Sequence, residues 1–455
     1  MFIGRAAELA TLRDRYASDT FEFGIVYGRR RVGKTTLLKE SVAAGKSLFF
    51  VANQTNADDN LDAFSRCIAD YFGEPGIAFR SFQDAFAHLF GKSAGSTITV
   101  ILDEFTYLVE SDPSIMSVLQ NAIDRYRQTS CLKLVVAGSQ VGMIEEMLAY
   151  KKPLYGRRTF LIHLKEYDYY ESSLFYPNYS SADKIRAYAV FGGLPFHLVM
   201  IDDDKPLKKN IIDLIVRNNA PLESEISLFL QAELRSVGIY SSVLLAIANG
   251  ATKLSEIDTK AHVHDSSKTS GYVRILADLG IVRREICFGE KADTRKTLYR
   301  MADNFFAFHY RFIAANLTQM TVMSPDRFYA TCVAPVLDHY VSDRFETVCM
   351  EYLVRKNRAD TFPYPFTDIG RYWYHDRVTK TSIEIDLCIA REQGDIIAFE
   401  CKWTRAPVDL KVMATLEKKS AVLPAARVGA FSLSRVAPEV AKRYPLAFSA
   451  DDLFQ

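Results

Sequence analysis

The sequence predicts a multidomain α/β protein that opens on a parallel sheet with helices on both faces. Apolar strand-like runs at Phe23–Tyr27, Ser47–Val51, Thr97–Leu102 and Leu132–Ala137 alternate with stretches of helical spacing such as Leu61–Tyr71 and Ile115–Tyr126. Such alternation implies parallel strands covered on both sides. After about residue 166 the pattern turns mainly helical, and strands return beyond about 335. At 455 residues the chain also exceeds what one hydrophobic core organises.

Five segments follow from this reading. Residues 1–165 form the parallel-sheet core and 166–235 a helical lid. Residues 236–301 hold three short helices, Tyr240–Asn249, Lys253–Asp258 and Ser267–Leu279, then a ribbon, Val282–Phe288 and Lys296–Met301. Three helices followed by a hairpin is the winged-helix pattern. Residues 302–334 are a helical connector whose Phe305–Phe308 run reads as packing. Residues 335–455 open with a helix, Val336–Lys356, and continue with strands at Arg371–His375, Ser382–Ala390, Ile396–Lys402 and Arg427–Leu433.

Composition excludes several classes. The 56 basic and 55 acidic residues nearly cancel, so any basic footprint for nucleic acid must be local. Seven cysteines with no CxxC pair argue against a disulfide framework and a zinc site, and the eight histidines lack ligand spacing. The start lacks a signal-peptide pattern, and no apolar run reaches the roughly eighteen residues that span a bilayer. The expectation is a cytoplasmic protein with no membrane partner.

Gly28-Arg29-Arg30-Arg31-Val32-Gly33-Lys34-Thr35 matches GxxxxGK[ST] and lies between the first strand and a helix over Thr36–Glu40. Its glycines let successive N–H groups face phosphates, and the stretch from Gly28 to Thr36 would hold ATP or ADP. Lys34 would reach the β/γ oxygens, and the Thr35 hydroxyl would ligate Mg2+. Ile98–Leu102 ends in Asp103-Glu104, the form of a Walker B element. Asp103 would hold Mg2+ through its water shell, and Glu104 would polarise the attacking water. After the next strand, Gly138-Ser139-Gln140 reads either as a γ-phosphate sensor or as a simple turn.

In the last segment Ile383–Ile389 carries Asp386, and Ile396–Trp403 carries Glu400 and Lys402. Period-two alternation puts Glu400 and Lys402 on one strand face, where a neighbouring strand could bring Asp386. Two carboxylates would hold Mg2+, and the lysine would stabilise the charged phosphate. This is the pattern of the PD-(D/E)XK nucleases, and Glu346 on the preceding helix matches their helical glutamate. A buried charge cluster is the second reading of the same residues. Cys388 and Cys401 are expected on the face opposite to them, in the core.

The third helix, the expected recognition helix, carries Lys268 and Arg274, and the ribbon carries Arg283, Arg284, Lys291, Arg295, Lys296 and Arg300, with Ser266, Ser267, Thr269 and Ser270 nearby. These suit phosphate contacts with DNA or RNA, and equally an ordinary solvated or protein-binding surface.

The opening Phe2-Ile3-Gly4-Arg5-x-x-Glu8-Leu9, the Gly28–Thr35 loop, Asp103-Glu104 and Pro153-Leu154-Tyr155-Gly156-Arg157-Arg158 together resemble the AAA+/STAND-type ATPases often described as archaeal ATPases. So do Gly192-Gly193-Leu194-Pro195 and the middle-domain strings AIANGATKLSEI and YVRILADLGIVRR. The resemblance implies an AAA+ ATPase core with a lid, a winged helix and a C-terminal restriction-endonuclease-like domain. It implies an arginine acting on the γ-phosphate, often across a subunit interface, hence a homo-oligomer or protein partner. Arg157 and Arg158 match equally, and a basic surface turn is their alternative. The expected function is an ATPase controlling a nuclease-like domain that contacts nucleic acid; the alternative is a switch whose inactive nuclease-like domain docks proteins. A small-molecule kinase or transporter fits poorly, because no ABC signature precedes Asp103 and a kinase needs no winged helix.

Overall fold

The computed structural model describes residues 2–43, 45–292, 296–375, 381–392, 394–423 and 427–455, so Arg295 of the ribbon lies outside the described residues. The chain divides into two units, Met1–Glu166 and Tyr167–Gln455.

In the first unit five parallel strands, β1 (Glu22–Tyr27), β2 (Leu48–Val51), β3 (Ile98–Asp103), β4 (Leu132–Gly138) and β5 (Phe160–His163), stand in the order β2-β3-β4-β1-β5. β1 and β4 are buried at every position, as strands covered on both faces must be. The helices are α1 (Ala6–Tyr16), α2 (Lys34–Ser41), α3 (Ala57–Phe72), α4 (Phe82–Lys92), α5 (Phe105–Ser111), α6 (Ile115–Tyr126) and α7 (Val141–Met147). α3 starts where the Asn56 side chain accepts the Asp59 N–H and stops at Gly73, whose φ of 69° suits glycine. Phe64 of α3 packs on Phe50 of β2 and on Phe86 of α4. β5 was not among the expected strands: it is four residues long and exposes two of them, too short a pattern to read. Because β4 lies between β1 and β3, the loops that follow all three open at the same sheet edge.

In the second unit one apolar cluster runs from Tyr167 to Leu453, so four segments of the sequence share one core. Its elements include α8 (Tyr169–Ser173), α9 (Ser181–Phe191), α10 (Val237–Ala248), α11 (Leu254–Lys260), α12 (Ser266–Asp278) and the antiparallel ribbon β6 (Val282–Ile286) and β7 (Thr297–Met301). α13 (Asn304–Phe308) and the long α14 (Ala334–Arg358) follow. The Tyr340 hydroxyl on α14 donates to the carbonyls of Ala189 (2.8 Å) and Asn304 (3.0 Å), tying the segments together.

A second sheet closes the chain: β8 (Phe366–His375), β9 (Ser382–Arg391), β10 (Ile396–Lys402), β11 (Arg427–Ser432) and β12 (Ala447–Ser449), in the order β12-β11-β10-β9-β8. β8/β9 and β9/β10 are antiparallel, and β10/β11 and β11/β12 are parallel. β8 begins five residues before the expected Arg371, and the three-residue β12 was not expected. α14 supplies Val348 and Cys349 to the cluster that holds Phe399 and Cys401. α15 (Leu410–Ser420) packs Leu416 with Cys388 and Ala398. Cys388 and Cys401 therefore pack into different clusters, which corrects the expectation that both lie opposite the acids. The cause is spacing: Cys388 is two residues from Asp386 and stands opposite Ala398, so it shares the face of Asp386, while Cys401 lies on the other face with Phe399 and Leu387. Separately, Gly370 pairs with Cys388 but Tyr372 with Ile385, so Asp386 and Leu387 face Arg371 alone.

The end of the ribbon lies along β8. The Phe288 N–H donates to the Arg371 carbonyl at 2.8 Å, and Cys287 meets the Trp373 backbone. These contacts cover the middle of the edge strand, at Arg371 and Trp373.

Candidate functional site

The nucleotide loop is built by a turn that only its sequence allows. β1 ends at Tyr27, Gly28 adopts φ 157°, Arg31 φ 68° and Gly33 φ 95°, and α2 starts at Lys34. A Cβ on Gly28 would sit 2.2 Å from the Leu164 carbonyl oxygen, so glycine is required there. Val32 is fully buried and anchors the loop from beneath. The Lys34 Nζ is buried and donates to the carbonyls of Gly28 (2.8 Å) and Arg29 (3.1 Å). Thr36, the third residue of α2, is exposed.

The two halves of the site meet directly. The Thr35 hydroxyl donates to Asp103 Oδ2 at 2.6 Å, and Asp103 is 1% exposed. Its other oxygen accepts the Glu104 N–H at 2.9 Å. Glu104 adopts φ 51°, an uncommon conformation for a non-glycine residue that occurs more often at functional sites. The Ser139 hydroxyl at the end of β4 donates to Glu104 Oε1 at 2.6 Å. Ser139 thus orients the carboxylate of the residue that follows Asp103, whereas Gln140 donates to Glu110 at 2.7 Å.

Three contacts escaped the sequence reading. Arg5, 4% exposed at φ 59°, donates to the Lys165 carbonyl (2.5 Å) and the Val32 carbonyl (3.4 Å). Arg29 pairs with Glu166 at 2.5 Å. Together with Leu164 under Gly28, these fasten the loop to residues 164–166. A single positive-φ arginine in an opening motif gives no local signal of such partners.

The two arginines of the Pro153–Arg158 segment differ. Arg157 donates to Asp124 through Nε (2.9 Å) and Nη2 (2.7 Å), and to the carbonyls of Pro153 and Tyr155. Arg158 is exposed and has no hydrogen-bond or ion-pair partner among the described residues. It lies near the end of β1: burial and then Glu145 raise the Tyr27 phenol, and Arg158 acts against them.

In the last segment the register brings Phe399 opposite Leu387, so Glu400 adjoins Asp386. Glu400 is 6% exposed and accepts from Lys402 at 2.5 Å and Lys419 at 3.4 Å. Asp386 accepts the Cys401 N–H at 2.8 Å. Burial, then the Glu400 charge, pushes the Asp386 carboxyl above its ordinary range. Burial opposes the Lys402 charge, but its bond to Glu400 keeps the ammonium raised. Glu346 is ion-paired with Arg371, the β8 residue that faces Asp386, so a guanidinium already occupies the carboxylate expected as a further ligand. Among the described residues no three His, Cys, Asp or Glu side chains are grouped to hold a metal.

The basic residues of segment 236–301 are largely paired within it. Glu285 holds Arg283 (2.7 Å) and Arg300 (3.0 Å), with Arg371 at 3.9 Å. Arg284 donates to the Ala292 carbonyl, Lys296 pairs with Glu290, and Lys268 pairs with Asp265, the cap of α12. Thr269 is buried and donates to Asp258, so it is not a surface contact. Arg274, Lys291, Ser266, Ser267 and Ser270 are exposed. Gly193 proves a packing residue: a Cβ there would lie 2.0 Å from the Tyr167 carbonyl oxygen.

Comparison with known proteins agrees with the first unit. Residues 2–201 match a family described as an ATPase domain predominantly from Archaea. Residues 309–419 match a second family, described as archaeal and bacterial proteins of unknown function. An uncharacterized protein of Methanocaldococcus jannaschii is 29% identical over 407 residues, 89% of this chain and 88% of that protein. A Walker-type ATPase of Pyrococcus abyssi is similar in fold at a TM-score of 0.52 and 18% identity, covering 68% of this chain and 96% of its own. The first unit is a Walker-type, ATP-binding P-loop ATPase domain, and the protein is an ATP-hydrolysing enzyme. Among the described residues no helix is long and apolar enough to cross a membrane.

Proposed function

We propose that the protein is a cytoplasmic Mg2+-dependent ATPase of the AAA+/STAND type. Its nucleotide state would control the nuclease-like last segment, which contacts nucleic acid. The observation that carries the hydrolytic half is the 2.6 Å bond between Thr35 and Asp103. A hydroxyl and a carboxylate converging in this way are the hard oxygen donors Mg2+ prefers, and Thr35 and Asp103 would hold it. When bound, the ion would offset the negative charge of the phosphoryl groups. Lys34 leaves its two carbonyls for the phosphates. Glu104, held by Ser139, takes the proton of the attacking water. Arg158 meets the γ-phosphoryl charge in a neighbouring copy of a homo-oligomer, while Arg157 stays on Asp124.

For the last segment, the adjacency of Asp386 to Glu400 and Lys402 supports phosphodiester cleavage. Asp386 and Glu400 would hold the divalent ion, and Lys402 the scissile phosphate. The commitment of Glu346 to Arg371 favours a second reading, an inactive domain that docks a protein partner.

Plasmid and single-stranded DNA incubated with Mg2+ or Mn2+, with and without ATP, separate the two. Cleavage that disappears in Lys402→Ala and Asp386→Asn supports the nuclease. Cleavage that survives both substitutions sinks this site. No cleavage under any condition removes the nuclease, and the docking reading then requires Glu104→Gln with ATP to change the elution volume or capture a partner.

A further inference from the structure

The second unit contains a cavity of about 270 Å3 between the end of α10, β7, α13 and α14. Asn249, Arg300, Arg311, His339, Asp343 and Arg344 supply its polar lining. Arg344 is 8% exposed, donates through Nη1 to the Met301 carbonyl at 2.9 Å, and has a buried Nε with no hydrogen-bond partner among the described residues. A buried guanidinium left short of partners is costly unless an anion completes its shell. Arg300 reaches the same space from β7, and Arg311 donates to Asn249 Oδ1 at 3.1 Å. Because Arg300 is ion-paired with Glu285, Arg311 and Arg344 are the two arginines left to face one carboxylate, Asp343, on the cavity wall. The carbonyls at the end of α10 add little negative potential, because those of Leu245, Ala246 and Ile247 accept the N–H groups of Asn249, Ala251 and Gly250.

We propose that this cavity binds a small phosphomonoester, its phosphoryl group held by Arg344 and Arg311 with His339 at the mouth. The planar guanidinium fork matches phosphoryl oxygens in pairs. The volume lies just below the ~300–1,000 Å3 range of small-molecule sites, so the occupant is small. Tyr299 on the wall gives the organic part an apolar surface. The site is separate from the P-loop and uses none of its residues.

The test is calorimetric titration of the full chain carrying Lys34→Ala, which disables the P-loop, with inorganic phosphate and with ribose 5-phosphate. Saturable binding is expected, tighter for ribose 5-phosphate. Arg311→Ala should weaken it about tenfold, the scale of one lost charge-assisted hydrogen bond. Asp343→Asn should tighten it, an effect that a merely structural role would not produce. Arg311 and Asp343 are exposed, so neither variant depends on refolding the core around Arg344. Absence of heat with both probes overturns the proposal. So does equal or weaker binding of the sugar phosphate, or an affinity unmoved by Arg311→Ala and Asp343→Asn.

Discussion

Arg157 grips Asp124 with two hydrogen bonds, of 2.9 and 2.7 Å, while its neighbour Arg158 stays exposed near the end of β1. Two adjacent arginines that read alike in sequence thus have different work. Arg157→Ala should lower the melting temperature and leave kcat near wild type. The Arg157 hydrogen bond holds the Asp124 carboxyl below its ordinary range. A depressed carboxylate stabilises the fold above its ordinary pKa and loses that contribution as pH falls, so the Arg157→Ala deficit should shrink in acid. Arg158→Ala should leave melting unchanged and reduce ATP turnover ~10³-fold, the lower end for an arginine finger. Unaltered turnover in Arg158→Ala would remove the assignment.

Lys34, Glu104 and Ser139 divide binding from chemistry. Lys34→Ala should abolish the rise in melting temperature that ATP produces. Glu104→Gln should keep that rise and slow hydrolysis by ~10²–10⁴, the range for a general base. Ser139→Ala should lower kcat by less and leave KM alone, because Ser139 only orients Glu104. A matched loss of ATP binding in Ser139→Ala would place it on the nucleotide instead.

Gly193 leaves no room for a side chain, since the atom its Cβ would meet is backbone. Gly193→Ala should destabilise the second unit by ~3 kcal/mol or more, within the range of severe single changes. Urea unfolding followed by the tryptophans reports it, since Trp373 and Trp403 both lie in that unit. A midpoint equal to wild type would show that the backbone yields there.

Glu351 on α14 accepts the Tyr169 N–H (3.0 Å) and the Tyr188 hydroxyl (2.9 Å). Burial pushes its carboxyl up to about 7 from 4.5. With the folded value raised, its stabilising contribution is complete below about pH 4.5 and is lost as pH rises to about 7. Urea midpoints of the wild type should fall across that window, and Glu351→Gln should flatten the fall. An unchanged slope in Glu351→Gln would assign the pH dependence to other groups.

The parallel sheet and its nucleotide loop were legible because their signals are local. Gly28, Gly33 and Lys34 must follow a strand and open a helix within a few residues, and Asp103-Glu104 must end an apolar run. Likewise the strands carrying Asp386, Glu400 and Lys402 show in their own alternation. β12 escaped because three residues contain too few positions to display a period, and β5, as short as β2, ends in His163 and lacks the uninterrupted apolar run of β2.

What the chain determined by itself is the chemistry at positions joined by short stretches of backbone: a phosphate-cradling turn, two acids after a strand, an acid and Glu-x-Lys on neighbouring strands. Only the tertiary structure decided which charges are already taken. Arg157 goes to Asp124, Glu346 to Arg371 and Arg300 to Glu285 over separations of 15 to 33 residues, and Arg283 goes to Glu285 two residues along the same strand. The physical reason is that an ion pair needs two side chains brought within about 4 Å, and packing of distant elements sets that distance. The same packing joined residues 167–235, the ribbon and the last sheet into one core and left Arg344 facing a cavity.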